Sequence, residues 1–163
     1  MKKYILILTI LVSNIMFGSE IGLKGIQLGD DGNSSCSKME KIIIDKIDIW
    51  KPYFNEKSFR KTEKLCGLIV SNDLTIGLEM DQNNKVQRIR LHSRYFGFNM
   101  ADSKKVVAQG LISNLPWIKN LETNLSRDKK SFDYEYIDFN EGFKITISDG
   151  IIVTLEKTAK LNF

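Results

Sequence analysis

Alternation of apolar and polar residues is the clearest pattern in this chain, and it is strongest in the middle third. Every second side chain is apolar in Leu74–Met80, and polar and apolar side chains also alternate in Arg88–His92. This period of two is typical of strands with one buried face. Asn83-Asn84 favours a turn between them, because Asn tolerates a positive φ. The pattern predicts a hairpin with Glu79 opposite Arg88 on its polar side.

Further strands are predicted on both sides of this hairpin. Cys66–Val70 precedes it, and Ile21–Leu28 is a strand candidate near the start of the chain, whereas Tyr53–Leu65 has no clear period and is assigned mostly to loop. Near the end, Phe132–Phe139, Phe143–Ile147 and Ile151–Lys157 alternate in the same way. A loop at Ser148-Asp149-Gly150 would place Ile145 opposite Val153 and Phe143 opposite Leu155.

Two segments have helical periodicity. In the first, Ser37 and Glu40 form a capping box, a stripe of apolar residues follows, and Pro52 ends the helix. The stripe consists of Met39, Ile43, Ile47 and Trp50. The β-branched run Ile42–Ile44 leaves a strand as the alternative there. The second helix is predicted from about 101 to 114, before Pro116.

The order of predicted elements repeats along the chain. A strand, a polar loop, an amphipathic helix and a three-strand meander occur in residues 21–91 and again in 86–157, with the strand Val86–Tyr95 assigned to both copies. Two such units predict an α+β domain in which both helices pack on one face of an antiparallel sheet.

The segment Lys24–Gly29 before a capped helix, together with the helix-then-meander duplication, resembles the tandem repeats of beta-lactamase-inhibitor-protein-like proteins and of related small outer-membrane assembly lipoproteins. The resemblance implies a non-catalytic envelope protein that binds another protein across its sheet. This chain has Asp30-Asp31 where the family commonly has Met and a hydroxyl residue, and the lipoprotein Cys is missing. The family's contact residues are therefore not carried over to this chain.

The start of the chain has the pattern of a secretory signal. Met1-Lys2-Lys3 is followed by the apolar run Tyr4–Val12 and a small-residue exit at Gly18-Ser19. We therefore expect residues 1–19 to be a signal peptide and residues 20–163 to be one periplasmic or secreted domain, with no membrane span after cleavage. The alternative is an uncleaved anchor. Because Lys2 and Lys3 leave with the signal and no acidic residue does, the net charge falls from +4 to +2, and the bulk charge does not indicate binding to nucleic acid.

Cys36 and Cys66 are the two cysteines of the chain. In an oxidising compartment an even number of cysteines indicates a disulfide, which we expect between them. The alternative is a redox function, because Cys36 precedes a predicted helix start and helix N-termini favour thiolates. The CxxC spacing of thiol oxidoreductases is absent, which favours the structural interpretation.

One candidate binding surface follows from strand alternation. Arg88, Arg90, His92 and Arg94 are expected on one face as a basic stripe, suited to an acidic partner protein. A solvated sheet face is the alternative interpretation, and nucleic acid is disfavoured because stacking aromatics are scarce on that face. Trp117, after Pro116, is a candidate surface anchor, with a core position as the alternative.

A catalytic or metal site is not predicted, and we expect no cofactor. His92 is the only histidine, which excludes most histidine-based dyads and metal sites. Asp133 and Glu135 share a predicted strand face and are the candidates for a carboxylate hydrolase. The segment 30–33 is interpreted as a turn, because it lacks the spacing of a calcium loop. The leading hypothesis is a protein-binding module, inhibitor or immunity-type; a small hydrolase and a structural envelope component are the alternatives.

Overall fold

The computed structural model describes residues 21–46, 58–70, 73–99, 102–118, 125–127, 133–148 and 152–160. Within these residues the protein is α+β, with two α-helices and an antiparallel eight-stranded sheet. The expected signal segment 1–19 lies outside the described residues, as do the predicted helix positions Ile47 and Trp50.

The elements up to residue 96 begin with a small hairpin. They are β1 (Gly22–Leu23), β2 (Ile26–Gln27), α1 (Gly32–Ile44), β3 (Phe59–Lys61), β4 (Leu65–Val70), β5 (Asp73–Met80), β6 (Val86–His92) and a 3₁₀ turn (Ser93–Phe96). The remaining elements are α2 (Lys104–Ser113), β7 (Leu125–Arg127), β8 (Tyr134–Asp138), β9 (Phe143–Ser148) and β10 (Ile152–Lys157). The large sheet has the order β3-β4-β5-β6-β10-β9-β8-β7. Helix α1 packs against β4 and β5, and α2 packs against β8 and β9.

The buried face of the sheet carries a continuous row of apolar side chains. The paired positions are Cys66, Leu78, Ile89, Leu155, Ile145 and Tyr136, one from each strand between β4 and β8, and all are fully buried. Met39 of α1 and Val107 of α2 belong to the same core cluster. Both helices therefore lie on one face of the sheet, as the apolar stripes predict. The pairing of Leu78 with Ile89 and of Glu79 with Arg88 is confirmed.

The segment Ile21–Leu28 is a hairpin, so the prediction of a single strand was wrong. Lys24 and Gly25 both have positive φ, 54° and 75°, and form the two-residue turn between β1 and β2. Two central residues with positive φ are typical of the turns that best match the twist of a hairpin. Gly25 therefore marks a turn within a segment that the alternation of apolar and polar residues alone predicts to be one strand.

Helix α1 starts five residues before the predicted capping box. Asp31 is the N-cap, and its side chain accepts a hydrogen bond from the backbone N–H of Ser34 at 3.0 Å. Ser37 instead lies inside the helix, where its hydroxyl donates to Asn33 O. The run Ile42–Ile44 is helical, so the strand alternative is wrong there.

Two further differences concern the sheet. β9 and β10 pair two residues out of the predicted register, with Ile147 opposite Val153 and Ile145 opposite Leu155. A shift of two residues keeps each side chain on its face, so burial does not distinguish the two registers. The edge strand β3 falls in the segment that we assigned mostly to loop, and no strand was predicted at the other edge, β7, because three residues are too few to show a period.

The disulfide between Cys36 and Cys66 is present, and it joins α1 to β4. The two Cα atoms are 5.8 Å apart and both side chains are buried. The bond therefore ties the first helix to the strand it covers.

Candidate functional site

The face of the sheet opposite the helices carries polar side chains, and we call it the open face. It is formed by the residues that alternate with the core positions on β5, β6, β10 and β9. Among the described residues, both helices contribute their buried side chains to the other face. An antiparallel sheet can remain solvated on one side in this way. The open face is therefore the surface on which candidate binding residues are compared.

A line of alternating charges crosses the open face, and we call it the charged row. Its members are Glu79 of β5, Arg88 of β6, Glu156 of β10, Lys144 of β9 and Glu135 of β8. Arg88 donates to Glu79 and, at 2.7 Å, to Glu156. Lys144 lies 3.2 Å from Glu156 and 3.7 Å from Glu135. Arg88 is thus neutralised by two carboxylates, and its charge is not free for an acidic partner.

Glu156 occupies the centre of the charged row. Burial opposes its ionisation, but hydrogen bonds from Arg88 and Lys144 outweigh burial and hold the pKa of Glu156 below its ordinary value. The native state therefore binds a proton at this site less readily than the unfolded chain does. The ion pairs of Glu156 stabilise the fold above the ordinary glutamate pKa and are lost as the pH falls through the native pKa.

We expect the free energy of unfolding to fall as the pH drops below about 4.5, and to fall less steeply in Glu156→Gln. The glutamine has no carboxylate to protonate, so this contribution to the pH dependence disappears. Urea unfolding at about pH 7 and about pH 4 measures the difference. Glu40→Gln on the exposed surface of α1 is the control and should keep the wild-type pH dependence. An identical acid response in wild type and Glu156→Gln would contradict this role.

Arg90 extends across β5. Its guanidinium donates one hydrogen bond to the backbone carbonyl of Leu74, while its Nε is buried without a hydrogen-bond partner among the described residues. Gly77 lies directly opposite Arg90 and has no side chain in the way. A Cβ there would lie 2.1 Å from Cys66 O, and its φ is 142°, so the position requires glycine. Burial and the charge of Arg88 both lower the pKa of Arg90.

His92 and Arg94 depart from the predicted stripe. His92 is only 4% exposed, and its Nδ1 accepts the backbone N–H of Arg94 at the start of the 3₁₀ turn. Burial, with the charge of Arg94, lowers the pKa of His92. Arg94 lies within that turn, where strand alternation no longer applies. The four residues therefore do not form one continuous exposed basic stripe.

Trp117 lies in the core, so its assignment as a surface anchor is corrected. It is 8% exposed, and its ring meets the ring of Phe143 edge-to-face at 5.0 Å between centroids. Phe143 also stacks on Tyr136 at 5.8 Å. The three rings belong to the same buried cluster as Val107 of α2, so the alternative of a core position for Trp117 is the one that the structure shows.

The two carboxylates considered for hydrolysis, Asp133 and Glu135, each lie within ion-pair distance of a different lysine. Asp133 lies 3.2 Å from Lys104 of α2, whereas Glu135 belongs to the charged row. A depression of about 370 Å³ includes Glu63 and Asp81. The Asp81 carboxylate accepts the N–H groups of Asn83 and Lys85, at 2.8 and 3.0 Å, and shapes the turn.

The described part of the chain contains no candidate metal site and no candidate membrane-spanning helix. No cluster of three or more His, Cys, Asp or Glu side chains is arranged there to hold a metal ion. In the segment 30–33, Asp31 caps α1, and Gly32 and Asn33 already belong to the helix, so the prediction of a turn was wrong for these two residues. Neither described helix has the length and apolar character needed to span a membrane.

A depression that sequence analysis missed lies beside Arg90. It has a volume of about 250 Å³ and is lined by Arg88, Arg90, Thr146, Ser148, Thr154 and Glu156. We call the part formed by Thr146, Ser148 and Thr154 the hydroxyl basin. These residues alternate with apolar ones in the sequence, which predicts their face but not their proximity to Arg90.

Comparisons with protein-family models, with curated proteins and with solved structures find no match to this chain.

Proposed function

We propose that the protein is an exported, non-catalytic binding module of the bacterial envelope that presents the open face to another protein, in the manner of an inhibitor or immunity-type protein. The observation that carries this proposal is the asymmetry of the sheet. Both described helices cover one face, while the other displays polar side chains held in register over several adjacent strands. Side chains fixed in this way lose little conformational freedom on binding.

Three further features support the proposal. The disulfide is typical of proteins outside the reducing cytoplasm, consistent with a signal peptide at residues 1–19 and a periplasmic or secreted location. The succession β4-β5-β6 with α1 is mirrored by β8-β9-β10 with α2, consistent with a duplicated helix-and-meander unit. The resemblance of the sequence pattern to beta-lactamase-inhibitor-protein-like proteins implies the same kind of function.

The surface that could bind an acidic partner is smaller than the predicted basic stripe. Arg88 is already paired with Glu79 and Glu156, and His92 is buried. Arg90 is the member of the stripe that lies on the open face without a carboxylate within ion-pair distance among the described residues. We therefore propose Arg90 as the centre of the contact with the partner.

We expect photo-crosslinking in the native host to distinguish the two faces. A benzophenone amino acid at Thr75 or Thr154 on the open face should give an adduct of one defined mass. The same group at Lys105 or Gln109, exposed on α2, should not. Mass spectrometry of the purified adduct identifies the partner. Adducts formed equally well from both faces, or only from α2, would contradict binding through the open face.

A further inference from the structure

His92 is a buried titratable side chain that the proposed binding function does not use. It ends β6 and begins the 3₁₀ turn Ser93–Phe96. Its Nδ1 accepts a hydrogen bond from the backbone N–H of Arg94 at 3.1 Å. A ring nitrogen accepts a hydrogen bond only while it carries no proton, so this contact requires a neutral imidazole with its proton on Nε2. The start of the turn therefore depends on the protonation state of one side chain.

The turn that His92 begins connects the two halves of the fold, because it leads from β6 towards α2. Tyr95 of the turn is buried in the core, and the centroid of its ring lies 6.0 Å from Nζ of Lys46, two residues after α1. The ring centroid of Phe96 lies 5.4 Å from Nζ of Lys24, in the turn between β1 and β2. Opening the 3₁₀ turn would therefore release contacts with the first elements of the chain.

The charges nearest to His92 in the sequence are both positive. Arg90 lies two positions earlier in β6, and Arg94 lies two positions later in the turn. Ile152 of β10, which is in register with His92, is uncharged, and the carboxylate of Asp73 on β5 acts on Arg90. Burial, followed by the charge of Arg94, lowers the pKa of His92. The surroundings of His92 therefore disfavour the imidazolium in the closed turn.

We propose that His92 is a pH-dependent switch, in which protonation of the ring breaks the hydrogen bond from Arg94 and opens the turn Ser93–Phe96. An imidazolium has a donor at Nδ1 in place of the acceptor, so it would face the N–H of Arg94 with a second N–H. In the open turn His92 reaches water and regains its ordinary pKa. The closed turn is therefore fully stable above about pH 6.5 and loses stability as the pH falls from there to the native pKa. This inference concerns a device within the fold and does not depend on the partner protein.

NMR of the mature, exported protein tests the switch directly, because His92 is the only histidine of the chain. The ring protons of His92 and the amide of Arg94 are followed from about pH 7.5 to about pH 5, the range in which histidine titrates. We expect both signals to titrate with one midpoint below about pH 6.5. Across that midpoint the protection of the Arg94 amide from hydrogen exchange, corrected for the intrinsic effect of pH, should fall about fivefold or more, as for the loss of one hydrogen bond. The amide of Ile89, in the centre of the sheet, is the reference and should keep its protection.

Two substitutions at His92 separate the titration from the hydrogen bond. In His92→Asn the side-chain oxygen can accept the same N–H, as Asn does at helix N-caps, but it does not titrate. The Arg94 amide of this variant should therefore be equally protected at about pH 7 and about pH 5. His92→Ala has no acceptor and should show the lowered protection at both values.

The charge beside the ring is tested by a third variant. Arg94→Gln removes the positive charge that disfavours the imidazolium and should raise the midpoint of His92. Lys105→Gln removes an exposed positive charge from α2 and is the control, with the wild-type midpoint expected.

Three results would overturn the proposal. The first is an Arg94 amide whose protection does not change across the titration of His92. The second is a loss of protection that persists in His92→Asn. The third is an equal loss at Ile89, because the whole domain and not the turn would then open.

Discussion

Replacing both Cys36 and Cys66 with serine is expected to lower the midpoint of thermal unfolding by about 5–15 °C. The bond closes a separation of 30 residues and joins α1 to β4. Restricting the unfolded chain over that distance is worth roughly 3–4 kcal/mol. Both sulfur positions are buried, so two serine hydroxyls there add a desolvation cost. Circular dichroism during heating measures the midpoint.

Chemical reduction is the matched control for this variant. Wild-type protein in excess reductant should unfold near the temperature of the double-serine variant, while reductant should leave the variant itself unchanged. Non-reducing mass spectrometry should show the native protein lighter by two hydrogens than the reduced chain. A wild-type midpoint that does not respond to complete reduction would contradict a stabilising role for the bond.

Phe143→Ala is expected to lower the free energy of unfolding by about 3–5 kcal/mol. Phe143 is fully buried, and its ring lies between Trp117 and Tyr136. Alanine leaves a cavity that these two large rings fill poorly, so the loss exceeds the transfer energy of the missing atoms. Urea unfolding followed by tryptophan fluorescence measures the loss, and Trp117 reports on this cluster directly.

Phe139→Ala is the control, because Phe139 is 46% exposed and only four positions away in the chain. It should cost about 0.5 kcal/mol or less. Equal losses from the two variants would contradict a stabilising role for the buried contacts of Phe143 with Trp117 and Tyr136.

The sequence predicts the strands that have one buried face better than it predicts other elements. Burial requires the alternation around Leu78 and Ile89, and a slip of one residue would expose the core side of the hairpin. The pairing of β9 with β10 was missed by two residues, because either register buries Ile145 and Ile147. Hydrophobic pattern therefore predicts the face of a residue, whereas turn geometry sets its partner.

The candidate site depends on neighbours that the chain order does not reveal. Glu79 was predicted opposite Arg88, since both lie in one hairpin. Glu156 is 68 positions away from Arg88 and meets it only because β10 lies beside β6 in the sheet. The same adjacency brings Thr154 beside Arg90. Local patterns do not specify this adjacency, so neither the second carboxylate partner of Arg88 nor the hydroxyl basin could be predicted from the sequence.

The charged row also affects whether the protein associates with its own copies. In a face-to-face dimer with a two-fold axis along the row, each charge meets its own equivalent. With the axis across the row at Glu156, Glu156 meets Glu156 and Arg88 meets Lys144. Like charges placed together in an interface cost several kcal/mol. The alternating row therefore disfavours symmetric self-pairing of the open face about either of these axes, whereas an axis across the row midway between Arg88 and Glu156 would place opposite charges together.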